Sequence, residues 1–307
     1  MSTTWLAGCK INLGLHVLRR RSDGYHDIET VLIPVPWYDT IRVEPAEKDE
    51  FSCSDPLLPV DERNLCVRAV HLFRGRFGQT RPLRIRLEKN LPTGAGLGGG
   101  SSDAAAILRG LARLNGIPAS EPDLVTLAAA LGSDVPFFLL DRARVSGHGP
   151  RDAQPRKVPA LATGRGEMLE ALTSPDGGAF NFPYALVIAT PDVSISTADA
   201  YAGVTPNDHA RPSLREAVVS GSPTMWRASI ANDFEPFIFS TFPQLAAIKG
   251  MLYGAGALYA SLSGSGSSVY GVFSEIGAST DATRVLVERG IAGWYGTTEG
   301  GYPLADT

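Results

Sequence analysis

From Cys9 to Val17 small and branched apolar residues alternate loosely with polar ones, and a second strand-like run extends from Ile28 to Val35. The turn-rich Arg21-Ser-Asp-Gly-Tyr-His26 between them predicts a hairpin. Thr40-Ile-Arg-Val-Glu44 keeps the strand pattern, whereas Asn64 to Phe77 sets Leu65, Val67, Val70, Leu72, Phe73 and Phe77 at helical intervals. Leu83-Arg-Ile-Arg-Leu-Glu88 alternates cleanly and predicts a strand, and Ser102 to Leu114 has the alanine and leucine content of a helix. A helix is expected over Glu121 to Leu131, then a short apolar one opened by Pro136, with Asp134 beside its amino terminus. Further on, Tyr184 to Ala189, Ala257 to Leu262 and Val269 to Phe273 read as strands, Asn232 to Phe239 and Gln244 to Leu252 as helices. Strands and helices recur without strict βαβ alternation, so the pattern predicts an α+β fold.

At 307 residues and 44% hydrophobic, the chain is long enough for two domains or one large one. A formal net charge of -4 argues against general binding to nucleic acid or anionic membrane, so an anionic substrate has to be held by local positive charge. Cys9, Cys53 and Cys66 are odd in number and lack the close pairing of metal or redox motifs, which predicts free, largely buried thiols in a reducing compartment. No basic start with an apolar run is present, and no segment reaches bilayer-spanning length; a cytoplasmic location is expected. Asp141 to Lys157, rich in Arg, Gly, Pro and Asp, reads as an exposed loop.

Composition changes the picture most at Leu91-Pro-Thr-Gly-Ala-Gly-Leu-Gly-Gly-Gly-Ser-Ser102, where five glycines and two serines join a predicted strand to a predicted helix. Glycines let backbone amides approach a polyanion, and the following helix adds its positive end. Gly94-Ala-Gly-Leu-Gly-Gly99 formally satisfies G-x-G-x-x-G, but Glu121 falls at a helix start rather than at the end of a second strand, which argues against a dinucleotide fold. No Gly-Lys-Ser/Thr closes the run, so it is not a Walker A loop. Lys10 lies in an apolar strand, where spacing alone favours an outward-facing lysine. Asp134 suits a helix cap as well as a catalytic carboxylate. Tyr25-His26 pairs an aromatic ring with an imidazole at a turn, able to stack on a planar base and bond to its edge, or simply to form a hairpin tip. Ser263-Gly-Ser-Gly-Ser267 fits a phosphate-approaching loop and a plain turn equally. The histidines show no ligand spacing.

Taken in order, the Lys10 strand, the Pro92 to Ser102 loop and Gly264-Ser-Gly266 resemble the GHMP family of small-molecule kinases. Lys10-Ile-Asn-Leu-Gly-Leu-His16, Asp23-Gly-Tyr-His26, Gly132-Ser-Asp-Val-Pro136 and Asn232-Asp-Phe-Glu-Pro236 narrow the likeness to members acting in isoprenoid precursor synthesis. The resemblance implies a two-domain α+β fold. A ribosomal protein S5 domain 2-like amino-terminal part, carrying ATP over residues 1–175, would precede a ferredoxin-like carboxy-terminal part over 176–307. It implies ATP and magnesium, a small-molecule cytidyl diphosphate substrate, no nucleic-acid or membrane partner, and a monomer or homodimer. Lys10 and Asp134 match the catalytic pair. Pro92, Thr93, Gly94, Ala95, Gly96, Leu97, Gly98, Gly99, Gly100, Ser101 and Ser102 match the phosphate loop, with Ser102 toward the metal. Asn64 and Lys89 match positions near adenine, and Asn12, Tyr25, His26, Thr190 and Pro191 match the cytidyl and erythritol side. Tyr184 and Tyr201 are candidates for a second aromatic on the cytosine. Two features depart from the family: that second aromatic has no clear position, and Arg142 to Lys157 lengthens the connection to the expected Ala162-Thr-Gly-Arg-Gly-Glu167 strand. Another acceptor (a sugar, homoserine or a mevalonate-type alcohol) and a non-catalytic nucleotide sensor are the competing readings.

Overall fold

Strand β1 (Thr3–Arg20) and strand β2 (His26–Pro45) are each far longer than the alternating cores that predict them. The turn between them is closed by Arg21 N–H donating to the Tyr25 carbonyl at 2.8 Å, with Gly24 in the left-handed region at φ 86°. The runs Ile28 to Val35 and Thr40 to Glu44, read as separate, belong to one strand that carries Pro34 and Pro36 within it, residues whose fixed φ is compatible with extended backbone. The computed structural model describes residues 2–118, 122–140, 158–209, 211–220 and 222–304; the basic segment 142–157 lies outside them.

The chain packs as two compact units built from interleaved segments. The first comprises Met1–Cys9, Tyr38–Thr93 and Gly98–Lys157. In it Thr40–Pro45 of β2 pairs antiparallel with β4 (Leu83–Glu88), and β3 (Glu50–Cys53), which the pattern did not announce, adds parallel to β4. Helix α1 (Leu65–Phe77) buries Cys66, Ala69, Val70 and Phe73, one face at helical spacing. Asn64 caps it by accepting from Cys66 N–H at 2.9 Å, and Gly78 ends it at φ 68°. Helix α2 (Gly99–Leu114) packs along α1 and is buried almost all round. Helix α3 (Pro122–Leu131) and a 3-10 turn (Pro136–Leu139) follow.

The second unit comprises Lys10–Trp37, Gly94–Leu97 and Val158–Thr307. Here Thr30–Leu32 of β2 pairs with β5 (Ala160–Thr163), which turns back into β6 (Met168–Ala171). The expected Ala162 to Glu167 strand is therefore half strand and half turn, since Gly164 and Gly166, both at positive φ, reverse the chain. A second sheet runs antiparallel in the order β11-β10-β7-β9-β8, with β7 (Ala185–Ala189), β8 (Tyr259–Leu262), β9 (Val269–Phe273), β10 (Gly293–Thr297) and β11 (Gly300–Pro303). All five residues of β7 and of β9 are buried. The helices of this unit are α4 (Thr197–Gly203), α5 (Leu214–Ser220), α6 (Pro223–Ser229), α7 (Glu235–Thr241), α8 (Pro243–Gly254) and α9 (Thr280–Val287). Helix α8 sets Leu245, Ile248 and Leu252 into the core shared with Val187, Ala189, Ala260 and Val269. Among the described residues, no helix is long and apolar enough to cross a membrane. Cys9 and Cys66 are buried and Cys53 is half-buried, none of them in a disulfide.

Helix α2 approaches β1 so closely that a Cβ at Gly110 would collide with the Trp5 indole. Gly110→Ala is therefore expected to lower stability by about 1–3 kcal/mol, although helix propensity alone predicts a gain of about 1 kcal/mol. Chemical denaturation decides the sign; a stabilised variant would show that Trp5 can move away.

Candidate active site

The glycine loop takes its shape from backbone that side chains would strain. Gly96 and Gly98 sit at φ 75° and 71°, and a Cβ at Gly96 would run into the Ser263 carbonyl oxygen. Helix α2 starts at Gly99, earlier than the Ser102 that composition predicts, so Gly99, Gly100, Ser101 and Ser102 form its first turn. Gly98, at the capping position, has no side chain to occupy the first-turn amides, which leaves donors and the positive helix end for an anion. The Ser102 hydroxyl is buried without a hydrogen-bond partner. An orphaned hydroxyl at this helix end fits a group that binds through oxygen, as a hydrated magnesium ion with its phosphates would.

In the second unit, Lys10 reverses the outward orientation that spacing favours: it is only 3% exposed. Its ammonium donates to Asn12 Oδ1 at 2.6 Å and to the Gly96 carbonyl at 2.8 Å. These acceptors satisfy a charge that burial would otherwise penalise heavily. Asn12 is in turn oriented on every side. Because lysine only donates, the amide oxygen faces Lys10, and Nδ2 donates to Thr30 Oγ1 at 3.0 Å while Thr30 passes its own proton to the Gly14 carbonyl. The Asn12 backbone N–H reaches Ser263 Oγ at 3.3 Å, and its carbonyl accepts from Tyr270 OH at 2.9 Å. Ser263 Oγ donates to the Gly96 carbonyl at 2.9 Å, and Ser268 N–H donates to the Ala95 carbonyl at 3.1 Å. Asn232 closes the circuit by donating to the carbonyls of Leu262 and Gly264. Lys10, Asn12, Ala95, Gly96 and the late serine-glycine loop thus form one network.

The first unit holds Lys89, Asn64, Thr93 and Asp134. Lys89 is buried between Asp39 and Asp103, pairing with both. Burial pulls the Lys89 pKa down, but the two carboxylates outweigh it and the net shift is upward. Burial pushes Asp103 up to about 7, against the pull of Lys89. Asp39 also accepts the N–H groups of Asn90 and Leu91 at 2.6 and 2.8 Å, fixing the chain that leads into the loop. Lys89, matched to the adenine side, therefore joins this segment to α2. Asn64 is engaged in capping α1. Thr93 Oγ1 makes a long 3.5 Å contact to Asp55. Asp134 lies in the turn ahead of Pro136, where Val135 rather than Asp134 takes the capping position.

Tyr25 and His26 stand at the β1–β2 turn in the second unit. Tyr25 is 55% exposed, with the Arg165 guanidinium 4.9 Å from its ring centre. His26 stacks on Tyr201 at 4.8 Å. Burial and then the nearby Arg20 charge lower the His26 pKa, so the ring is neutral near pH 7. Tyr184 packs instead against Phe182 and Trp226. Thr190 and Pro191 follow the end of β7, Thr190 N–H bonding to the Ala292 carbonyl at 2.8 Å. Sequence reasoning missed Thr30, Tyr270, Asp39 and Asp103. Only their position inside otherwise apolar segments hints at them. Among the described residues, no group of three His, Cys, Asp or Glu side chains is arranged to hold a metal.

Two family matches fall on the chain: residues 64–142 correspond to the GHMP kinases N terminal domain, and 214–290 to the GHMP kinases C terminal domain. A protein of Salinibacter ruber named 4-diphosphocytidyl-2-C-methyl-D-erythritol kinase is 44% identical over 92% of this chain and 94% of its own length. One of the same name from Chlorobium limicola is 40% identical over 92% of each. A solved 4-(cytidine 5'-diphospho)-2C-methyl-D-erythritol kinase superposes with a TM-score of 0.74 at 34% identity, covering 96% of this chain and 98% of that one. With matches of this length bearing on both its amino-terminal loop and its carboxy-terminal half, the chain belongs to the GHMP family of ATP-dependent small-molecule kinases.

Proposed function

We propose that the chain transfers the γ-phosphoryl group of ATP to the 2-hydroxyl of 4-diphosphocytidyl-2-C-methyl-D-erythritol, a step in non-mevalonate isoprenoid precursor synthesis. The names of its most similar relatives support the substrate. The observation that carries the chemistry is the buried Lys10 ammonium held against the Gly96 carbonyl of the glycine loop, a fixed positive charge at a phosphate cradle.

ATP would supply the phosphoryl group, and Ser102 is the residue that would face a magnesium ion, whose chemistry would be to offset negative charge on the phosphates. In this reading the first-turn amides of α2 and the backbone from Pro92 to Gly98 grip the triphosphate. Lys10 stabilises charge on the reacting oxygens. Asp134 accepts the proton of the attacking hydroxyl, a role worth roughly 10²–10⁴-fold in rate. Asn12 orients Lys10 and the erythritol side. Tyr25 offers a face for the cytosine, and neutral His26 presents one donor and one acceptor, the complement of a base edge bearing both. Thr190 and Pro191 contribute from the end of β7.

Asp134→Asn is expected to lower kcat by about 10²–10⁴-fold while leaving ATP affinity within about twofold by titration calorimetry. Near-normal turnover in a coupled ADP-release assay would remove Asp134 from the base role. The same assay tests the substrate: free methylerythritol or mevalonate accepted as well as the cytidyl compound would point to another alcohol.

The lowered His26 pKa sets a pH dependence. Acid protonates the ring and converts its acceptor into a second donor, so binding of the cytidyl substrate weakens as pH falls through that pKa. KM for the cytidyl substrate is expected to stay flat from pH 8 down to about 6.5, the ordinary imidazole value, and to rise only below it. A rise centred above pH 7 would contradict the neutral ring.

A further inference from the structure

Both flanks of the glycine loop lie in the first unit, Leu91 to Thr93 where the chain enters it and Gly98 onward where it leaves into α2. A run of glycines carries little shape of its own, so its course depends on how its flanks are held. One buried carboxylate reaches both of them. Asp39, fully buried in β2, accepts the Asn90 and Leu91 N–H groups on one oxygen at 2.6 and 2.8 Å, and the Lys89 ammonium on the other. The same ammonium donates to Asp103 Oδ2 of α2 at 2.9 Å. The flanks also touch directly: a Cβ on Gly99 would stand 3.4 Å from Lys89 Nζ and 3.5 Å from the Leu91 side chain. Loop entry and helix start are thus joined through Asp39, Lys89 and Asp103. Stability alone does not require both carboxylates, since either one with Lys89 forms a neutral buried pair.

We propose that Asp39 is a positioning residue for phosphate binding: acting through Lys89 and Asp103, it holds the entry of the glycine loop against the start of α2, so that the amides of both flanks are fixed before the phosphates arrive. The proposal rests on the reading of this loop as the triphosphate grip. It gives the Lys89 side chain a task on the phosphate side, because its ammonium is occupied by the two carboxylates. Amides fixed in advance meet a polyanion without the entropic cost of ordering them. The effect therefore falls on the phosphates of the nucleotide and does not extend to its adenosine part.

The test compares ligands that share adenosine and differ in phosphates. On the full chain, Ki for adenosine and for magnesium–ADP is measured in competition with ATP, beside KM for ATP and for the cytidyl substrate. Asp39→Asn loses either the Lys89 link or the amide links, whichever way its side-chain amide turns, and it leaves Lys89 paired with Asp103, so no charge is stranded. It is expected to raise Ki for ADP and KM for ATP roughly three- to tenfold, with Ki for adenosine and KM for the cytidyl substrate unchanged. Asp103→Leu, which cuts the link at its other end, behaves the same way. Asp103→Asn removes the same charge as Asp103→Leu but keeps an oxygen for the Lys89 ammonium, and it stays within about twofold of wild type. KM and Ki do not depend on the fraction of folded protein, so a merely structural role lowers the rate per mole of protein and leaves the preference for ADP over adenosine where it was. Retention of the wild-type preference in both Asp39→Asn and Asp103→Leu, or an equal rise in Ki for adenosine, overturns the positioning role alone. A wild-type protein that binds ADP no more tightly than adenosine overturns the triphosphate reading of the loop along with it.

Discussion

The Gly96 carbonyl oxygen accepts from both the Lys10 ammonium and the Ser263 hydroxyl, and the geometry of the second unit's site follows from that shared acceptor. A carbonyl has two lone pairs, so one cation and one hydroxyl saturate it. The loop residue must then present its backbone inward, which only glycine allows at φ 75° against the Ser263 carbonyl. Lys10 also donates to Asn12, and Asn12 is locked by Thr30, Ser263 and Tyr270. A buried ammonium is costly unless satisfied, so each of these partners is required by the charge as much as by the fold. The result is a positive group whose position does not depend on a flexible side chain finding its rotamer.

The first unit solves a related problem with opposite signs. Two carboxylates, Asp39 and Asp103, share one lysine, and Asp103 Oδ1 remains without a partner. One cation cannot fully compensate two buried anions, which is why burial drives Asp103 upward to about 7 in spite of Lys89. Asp39 puts its charge to structural use by gathering the Asn90 and Leu91 amides, just ahead of Pro92.

The regular elements were legible wherever local pattern decides them. The α1 helix was visible because Leu65 to Phe77 keeps one apolar face long enough to exceed noise, and Asn64 is a cap by its own chemistry. Strand β4 was read to its ends because both neighbours pair with it and its alternation survives. Helices α4, α5 and α6, seven residues each, are too short for periodicity to register. Lys10 was read facing outward because its acceptor at Gly96 lies 86 positions away, and no local window contains both. The interleaving of the two units was hidden for the same reason: it is set by pairings such as Asn12 with Ser263, 251 positions apart. What a window cannot see, a family motif can carry, which is how Lys10, Asn12 and the glycine loop entered the expected site together.

The two halves of substrate handling rest on different physics. Charge neutralisation demands fixed groups in a low-dielectric setting, because electrostatic stabilisation is strongest where nothing has to reorganise. The buried Lys10 network meets that demand. Base recognition tolerates exposure, since stacking depends on overlap of flat surfaces more than on exclusion of water. It does not tolerate disorder, because every side chain frozen on binding weakens affinity. An exposed tyrosine at a turn satisfies the first condition and violates the second unless something holds it. At Tyr25 the Arg165 guanidinium lies over the ring and is itself bonded to Glu167, so the side chain is exposed without being free of contacts. Under the proposed function, exposure at Tyr25 and burial at Lys10 are two answers to one requirement, that the groups meeting the substrate be in place before it arrives.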